Sequence, residues 1–267
     1  MFRKFIKLII FIIEIISFFF EKLFKINFKG FLTSELRHEY KIVHIKNRNI
    51  KFFVPSHLIK WRVDTFFDKE PETLNWIENF KKHKKIIFWD IGSNIGLYSI
   101  YAAKIRNNSK VIAFEPSFLN LNTLGRNIYI NKLQNKISIF QLPLGHISNK
   151  FEKMLETSTY EGGALSSFGL QKDSQGKKIN NINSYSILGT SLDDVVNKKI
   201  LKIPDYIKID VDGIEHLILL GFKKNLKNKK IKSILIEVNE NYKEQFMNIT
   251  KILKKSGFVL KQKEQSK

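Results

Sequence analysis

The stretch KIIFWDIGSNIGLYSIYAAKI, residues 85–105, decides the fold of this 267-residue chain. Its first six residues form an apolar run that is typical of a buried strand, and residues 96–105 have the pattern of a helix. Between them, Gly92 and Gly96 allow a tight turn and let a ligand approach the backbone at the helix N-terminus. The order strand, glycine turn, helix predicts a site for a nucleotide-like ligand at the turn.

Strands and helices continue to alternate downstream of this stretch. We predict helices at 117–131 and 214–222, and further strands at 110–115, 137–142, 206–210 and 231–238. Apolar strands separated by helices predict an α/β fold with a mostly parallel sheet and helices on both faces. Residues 146–204 break the pattern with Ser, Gly, Asn and Lys, so we expect a lid, a binding insertion, a small hairpin or tolerated surface variation there.

The domain organisation follows from these patterns. We expect an amphipathic helix at 1–27, an extension with strands and a helix at 28–82, and the ligand-binding domain at 83–267. Within the extension, residues 44–54 alternate as strands or a hairpin would, and residues 72–80 have a helical pattern.

The first 25 residues read MFRKFIKLIIFIIEIISFFFEKLFK. Their apolar run, Leu8 to Phe20, contains Glu14 and is shorter than the roughly 20 residues that a spanning helix needs. On a helix the polar residues share one stripe about 140° wide; they are Arg3, Lys4, Lys7, Glu14, Ser17, Glu21, Lys22 and Lys25. This pattern predicts either peripheral contact of residues 1–25 with a membrane surface, or packing on the domain or on a second subunit in a homodimer. We expect a cytoplasmic protein in each case.

Composition excludes several function classes. The absence of cysteine excludes a disulfide framework, a thiolate zinc site, an iron–sulfur cluster and a cysteine nucleophile. The net charge of +21 is compatible with nucleic acid or an anionic membrane surface as a partner. However, 40 of the 46 basic residues are lysine, and arginine is the residue that makes bidentate phosphate and guanine contacts. Nucleic acid is therefore the less favoured partner.

The glycine turn narrows the choice of ligand. A dinucleotide fingerprint requires glycine at position 94, where this chain has Asn94, and no phosphate-loop motif is present. Glu115 ends the second strand 19 residues after Gly96, where a carboxylate can accept hydrogen bonds from two ribose hydroxyls. These features indicate a nucleoside-containing ligand other than NAD or a nucleoside triphosphate.

Five runs in order resemble the FkbM-type S-adenosylmethionine-dependent methyltransferases: FWDIGSNIGLYSIYAAK, FEPSFLNLNTLGRNIYIN, TSLDDV, PDYIKIDVDGIEHLILLGF and ILIEV. The resemblance spans about residues 65–240 and implies a class I, Rossmann-like methyltransferase fold with S-adenosylmethionine as cofactor. It implies that Glu115 holds the ribose and Pro116 shapes the adenine edge. The remaining implied cofactor-binding residues are Asp90, Gly92, Ser93, Asn94 and Gly96.

The resemblance further implies O-methylation of a hydroxyl on a small molecule, a sugar, a glycan or a lipid-linked glycan precursor. Such an acceptor must lose a proton, so we expect the catalytic carboxylates near the ends of the last two strands, at Asp210, Glu215 and Glu237. These carboxylates fit a metal-free base, and Asp210 and Glu237 also fit a Mg²⁺ site that would acidify the hydroxyl. A purely structural role for Glu215 and Glu237 is the third alternative.

Two other functions remain open from the sequence. RNA ribose methylation fits the basic charge, whereas methylation of a base amine commonly needs an N/D-P-P-Y-type motif where this chain has IDVDG at 209–213. A non-catalytic binding protein on the same scaffold is the second alternative, because a fold does not by itself imply activity.

Overall fold

The computed structural model describes residues 2–81 and 84–264. The expected domain boundary at 82/83 therefore lies outside the described residues, as do residue 1 and residues 265–267. The first part of the chain contains α1 (Phe2–Phe24), α2 (Phe28–Leu36), β1 (Tyr40–Ile45), β2 (Arg48–Phe53), α3 (His57–Asp64), α4 (Phe66–Lys69) and α5 (Pro71–Glu78). The strands β1 and β2 pair as an antiparallel hairpin, which the alternation at 44–54 predicted.

The rest of the chain contains β3 (Ile86–Ile91), α6 (Leu97–Ile105), β4 (Ser109–Phe114), α7 (Phe118–Ile130), β5 (Ile137–Phe140), β6 (Lys150–Glu156), β7 (Ser167–Phe168), β8 (Asn183–Gly189), α8 (Leu192–Asn197), β9 (Tyr206–Ile209), α9 (Glu215–Leu220), β10 (Ser233–Ile236) and α10 (Lys243–Lys255). The predicted strands and helices of the parallel sheet are all present, with ends that differ by at most two residues. The helices α2, α3, α4, α8 and α10 had not been predicted.

The central sheet has five parallel strands in the order β10-β9-β3-β4-β5, with helices on both faces. This confirms the predicted α/β, Rossmann-like fold. The chain runs outward from β3 through β4 and β5, then returns to pair β9 against the other side of β3. Ligands bind at such a reversal of strand order, outside the carboxyl ends of the strands. Pairing of Ile91 with Ile209 brings the glycine turn after β3 beside the segment after β9.

Two apolar cores cover the two faces of this sheet. Because side chains alternate along a strand, Phe88 packs with α3, α5, α6 and α7, whereas the adjacent Trp89 packs with α9 and α10. Both side chains are fully buried. The sheet is therefore a rigid support, and its strand ends hold the loops that follow them in fixed positions.

The segment 146–204 contains a small antiparallel sheet in the order β7-β6-β8, followed by α8. The strands β6 and β8 pair over seven residues, from Lys150 with Gly189 to Glu156 with Asn183. The insertion is thus larger than a small hairpin. It contributes Met154, Phe168 and the loop between β6 and β7 to the site described below.

The helices α1 and α2 form an antiparallel pair at the start of the chain. The backbone N–H of Lys29 donates to Ser17 Oγ at 3.2 Å, and Lys29 Nζ lies 2.9 Å from Glu14 Oε1. The rings of Phe20 and Phe28 stack with centroids 4.9 Å apart. Part of the predicted polar stripe therefore faces α2. Across the described ranges, no helix combines the length and apolar content that crossing a bilayer requires.

Candidate active site

The glycine turn after β3 is held by the neighbouring strands. The backbone N–H groups of Gly92 and Ser93 both donate to the Phe114 carbonyl, at 3.0 and 2.9 Å. Gly92 has a φ of +83°, and a Cβ atom at this position would lie 1.8 Å from the carbonyl oxygen of Asp210. Only glycine fits here, because the adjacent backbone belongs to the end of β9 and cannot move aside.

Glu115 closes the turn from the next strand. Its Oε2 accepts the backbone N–H of Asn94 at 2.8 Å, and its Oε1 accepts the N–H of Ser117 at 2.9 Å. Burial raises the pKa of Glu115 to about 7, against the opposing effect of these N–H donors. Each carboxylate oxygen has a second lone pair, so both oxygens can also accept hydrogen bonds from a ligand. The carboxylate points into the glycine turn, where the sequence had placed it.

A cavity of about 350 Å³ lies above the turn and the end of β9. This volume is within the usual range for small-molecule sites. Its cofactor half is formed by residues 92–97 together with Glu115 and Pro116. Its acceptor half lies toward the strand ends, α3 and the insertion, and its polar lining is Arg62, Lys69, Glu70, Lys208, Asp210, Asp212 and Glu237.

Two polar atoms under the cofactor half are left without partners. Within the described residues, neither Ser93 Oγ nor Asp90 Oδ1 has a hydrogen bond, although both are buried. Such orphaned atoms are rare in native proteins and mark a place where a polar ligand or water completes the bonding. Ser93 lines the cavity directly, whereas Asp90 lies beneath it and accepts the Ser99 hydroxyl at 2.6 Å. The chain therefore fits a polar cofactor at this turn, with Asp90 placed to support it from below.

Asp210 and Glu237 meet in the acceptor half, at the ends of β9 and β10. The buried ammonium group of Lys208 forms an ion pair with Asp210. Burial opposes ionisation of Asp210, but the charge of Lys208 and the adjacent Glu237 carboxyl outweigh it and lower the pKa of Asp210 well below its usual value. The neighbouring Asp210 in turn raises the pKa of Glu237. Asp210 is therefore the member of the pair that ionises first, and Glu237 the one that keeps its proton longer.

Residues 90–260 match the family described as the methyltransferase FkbM domain. This chain belongs to the FkbM methyltransferase family. The motifs had predicted that membership, and with it a methyltransferase that depends on S-adenosylmethionine. The match includes the glycine turn, Glu115 and the Asp210–Glu237 pair, whereas Arg62, Lys69 and Glu70, which also line the acceptor half, precede it in the chain.

The solved structures that this chain resembles are distant in sequence and in fold. A precorrin-6y C5,15-methyltransferase from Geobacter metallireducens is 14% identical, with 71% of each chain covered and a TM-score of 0.41. TYW2 from M. jannaschii, solved with AdoMet, is 14% identical over 82% of this chain and 73% of that one, with a TM-score of 0.41. A SAM-dependent methyltransferase from Agrobacterium tumefaciens is 9% identical over 80% and 58%, with a TM-score of 0.44. No match is found among the curated proteins.

We had expected Glu215 to be a catalytic carboxylate, but in this FkbM-family chain it does not line the cavity. Its Oε1 accepts the backbone N–H groups of Val211 and Gly213, both at 3.2 Å, and its Oε2 accepts the Gln245 amide at 2.7 Å. Glu215 is almost completely buried, and burial raises its pKa to about 7. Its carboxylate thus holds the 211–213 turn that follows Asp210, and it is not directed at the cavity.

The expected Mg²⁺ site does not fit the donor set. Among residues 2–81 and 84–264, no three or more Asp, Glu, His or Cys side chains are placed to hold one ion. The positive charge beside Asp210 is the ammonium group of Lys208, which is only 1% exposed. A divalent ion bound to Asp210 and Glu237 would have to compete with that built-in cation, so we assign no metal to these residues.

The loop at residues 161–165, which we call the strap, crosses the cavity between its two halves. Arg62 Nε donates to the Gly162 carbonyl at 2.6 Å, and Asn94 Nδ2 donates to the Gly163 carbonyl at 2.7 Å. At its far end the backbone N–H of Leu165 donates to Asp212 at 2.7 Å. Sequence patterns had marked this segment only as part of an irregular insertion. Its adjacent glycines, EGG, were the one available signal for close backbone packing.

Buried Lys208 was the other functional residue that the patterns did not single out. It lies 4.9 Å from the centroid of the Tyr98 ring. Burial lowers its pKa, but the charges of Asp210, Glu70 and Asp90 outweigh that effect and raise the pKa above its usual value. A lysine within the apolar strand sequence YIKI was the visible signal, because a charged residue in a buried strand requires a partner.

Proposed function

We propose that this protein transfers a methyl group from S-adenosylmethionine to a hydroxyl oxygen of a sugar, in a glycan or a lipid-linked glycan precursor, in the cytoplasm. The observation that carries the proposal is the ionised Asp210 carboxylate, held beside the glycine turn by the buried Lys208 ammonium. A hydroxyl donor above Asp210 would lie between that carboxylate and a cofactor on the turn.

The chemistry of the acceptor half favours a ligand with several hydroxyl groups. Asp210, Asp212 and Glu70 line it with carboxylates, which accept hydrogen bonds but do not donate them when ionised. The half-exposed ring of Trp61 adds a flat apolar surface at the same side of the cavity. Hydroxyl donors with an apolar ring face are the combination that a sugar provides.

The cofactor supplies an activated methyl group when it is bound, so the protein has to orient the acceptor and exclude water. Glu115 would hold the ribose hydroxyls, and Ser93 and Asn94 the polar groups beside them. Asp210 accepts the hydrogen bond of the acceptor hydroxyl and thereby directs its oxygen toward the methyl carbon. In the transfer the acceptor oxygen would gain the methyl carbon as the bond from that carbon to the sulfonium sulfur breaks, which leaves a neutral thioether. The acceptor hydroxyl would thereby become strongly acidic, and Asp210 would accept its proton and release it to solvent.

Glu237 and Glu215 support Asp210 in different ways. Asp210 raises the pKa of the adjacent Glu237 carboxyl, which in its protonated form would donate to Asp210 and fix one of its oxygens. Glu215 holds the backbone of the next turn through two N–H groups and therefore acts as a positioning residue. In this proposal Asp210 alone exchanges a proton with the acceptor.

RNA ribose methylation is the competing proposal, and the net charge of +21 favours it. Against it stands the composition of that charge, because only six of the 46 basic residues are arginine. The two proposals are separated by incubating the purified protein with methyl-labelled S-adenosylmethionine and either nucleotide sugars and oligosaccharides or RNA. We expect label in the sugars, in a product that resists mild alkali because it is an ether and not an ester. Label that appears only in RNA, with binding that weakens as salt rises, would reject the sugar proposal.

A further inference from the structure

The outward side of the α1–α2 pair is a continuous apolar surface. At 100° per residue, six side chains of α1 fall within an arc of about 80°. We call this surface the open face; it consists of Phe5, Leu8, Ile12, Ile15, Phe19 and Leu23. All six are exposed, by 43% to 68%. Exposed contiguous apolar surfaces of this kind mark sites of interaction with a protein or a membrane.

The opposite side of α1 is covered by α2 between Glu14 and Phe20, and this determines how α1 can dock. Its polar positions Glu14 and Ser17 bind Lys29 of α2, and Phe20 stacks on Phe28. The open face lies away from α2 and stays uncovered, with basic side chains at both ends of the helix. Other apolar side chains of α1, such as Ile10 and Phe18, are exposed outside it.

Charge decides between the possible occupants of the open face. Arg3, Lys4 and Lys7 lie at one end of α1, Lys22 lies at the other, and all three lysines are exposed. In a second copy of this chain, parallel or antiparallel pairing along the open face would bring these like charges together, which is unfavourable. An anionic lipid surface would instead attract each of them while the apolar side chains enter the acyl boundary.

We propose that the α1–α2 pair docks this protein on an anionic membrane surface, with the open face in the bilayer interface. The long lysine side chains adjoining the open face reach the headgroups while their stems lie along apolar surface. The pair lies in the interface and does not span it, because no helix in the described ranges is suited to crossing a bilayer.

Docking also has a consequence for the active site. Arg37, the residue after α2, forms an ion pair with Glu161 at the start of the strap. The docked pair is thereby joined directly to the loop that crosses the cavity. This arrangement favours the lipid-linked form of the acceptor over the free sugar. That second step rests on the proposed function, whereas membrane docking does not.

The test is co-sedimentation of the full chain with vesicles of phosphatidylcholine alone or mixed with phosphatidylglycerol. We expect binding to the mixed vesicles, weakened by the double variant L8E/F19E at least tenfold. The matched control Y129E/F151E changes two exposed aromatic residues on the body of the protein and should bind like the wild type. Equal binding of L8E/F19E and wild type, or no binding of wild type, would overturn the proposal.

Three further measurements separate the remaining outcomes. The reversal K4E/K22E should weaken binding to the mixed vesicles by at least roughly tenfold, and K227E/K229E much less, because only the first pair adjoins the open face. A lipid-free dimer that becomes monomeric in L8E/F19E would mean that a second copy covers the open face, which would overturn membrane docking. S-adenosylmethionine titration of L8E/F19E reports the cavity alone. Loss of vesicle binding with intact cofactor binding therefore tests docking separately from the proposed function.

The link to a lipid-linked acceptor has its own readout. Membranes incubated with methyl-labelled S-adenosylmethionine and the full chain should gain label in the lipid extract. That gain should fall at least fivefold with L8E/F19E and remain with Y129E/F151E. Equal labelling by both variants would overturn this second step while leaving vesicle docking intact.

Discussion

The cofactor half of the cavity comes from one continuous stretch, residues 92–97, closed by Glu115 from the adjacent strand. The acceptor half is assembled from α3, the ends of β9 and β10 and the strap, which lie up to 175 positions apart, from Arg62 to Glu237. In the first half, backbone geometry does most of the shaping, because Gly92 adjoins the carbonyl of Asp210. In the second half, side-chain charges decide the chemistry. Changes in the two halves should therefore affect cofactor binding and methyl transfer separately.

The largest expected effect is on methyl transfer in the acceptor half. Asp210→Asn removes the ionised carboxylate that takes the proton, and we expect the rate of transfer to fall about 10²- to 10⁴-fold, the usual contribution of a general base. Glu237→Gln should cost about tenfold or less, because its amide can still donate to Asp210. Single-turnover assays of both variants would measure this difference. A larger loss in Glu237→Gln than in Asp210→Asn would contradict the assigned roles.

The next effect is on cofactor binding. Gly92→Ala places a Cβ atom 1.8 Å from a backbone oxygen at a φ of +83°, and we expect affinity for S-adenosylmethionine to fall at least about 100-fold. Gly125→Ala in α7 is the matched control, since nothing lies within 4 Å of its Cβ position. It should leave affinity unchanged and stabilise the fold by about 0.5–1 kcal/mol, measured by thermal unfolding. Wild-type affinity in Gly92→Ala would reject the role of the turn.

A smaller effect should appear in the pH dependence of cofactor binding. Burial raises the pKa of Glu115 to about 7, so the carboxyl is protonated below that pH and ionised above it. The ribose hydroxyls donate to the ionised form. Affinity for S-adenosylmethionine should therefore weaken about tenfold from pH 8 to pH 6, as the ionised fraction falls. The profile of Glu115→Gln over this range should be flatter, and an unchanged slope would assign the titration to another group.

The smallest effect concerns the strap, which touches both halves. Asn120 accepts the Gly162 N–H at 2.8 Å and donates to the Gly163 carbonyl at 3.2 Å. Asn120→Ala removes both bonds, and the strap should open more often, with cleavage in limited proteolysis rising about fivefold for roughly 1 kcal/mol lost. Glu161→Gln loses a single ion pair with Arg37, whose side chain is 54% exposed, and should change cleavage less than about threefold. Equal cleavage of Asn120→Ala and Glu161→Gln would contradict the conclusion that the two Asn120 hydrogen bonds hold the strap more strongly than the Glu161–Arg37 pair does.

The difference between the two halves of the cavity also explains which parts of the structure could be predicted from the sequence. The strand β3, the glycine turn and α6 follow one another directly, so local patterns were enough to place them and the cofactor carboxylate Glu115. The Lys208–Asp210 pair is also local, but its significance depends on burial by elements distant in sequence. The three-stranded insertion and the strap depend on pairings across 20 to 40 residues or on single hydrogen bonds, which leave no periodic signal.

Glu215 and the expected Mg²⁺ site also show what sequence spacing cannot predict. Sequence spacing correctly indicated that three carboxylates lie near the ends of the last two strands. It did not indicate that Glu215 turns toward the backbone of residues 211–213, nor that Lys208 already supplies the cation next to Asp210. Both depend on side-chain direction, and spacing alone does not determine it.

The most direct test of the account is titration calorimetry of S-adenosylmethionine into the wild type and Asp210→Asn at pH 8. If the two halves work as described, both proteins bind one cofactor per chain with affinities within about threefold, while only the wild type transfers methyl. Absence of cofactor binding to the wild type would contradict the assignment of the glycine turn. Loss of binding in Asp210→Asn would contradict the separation of the two halves.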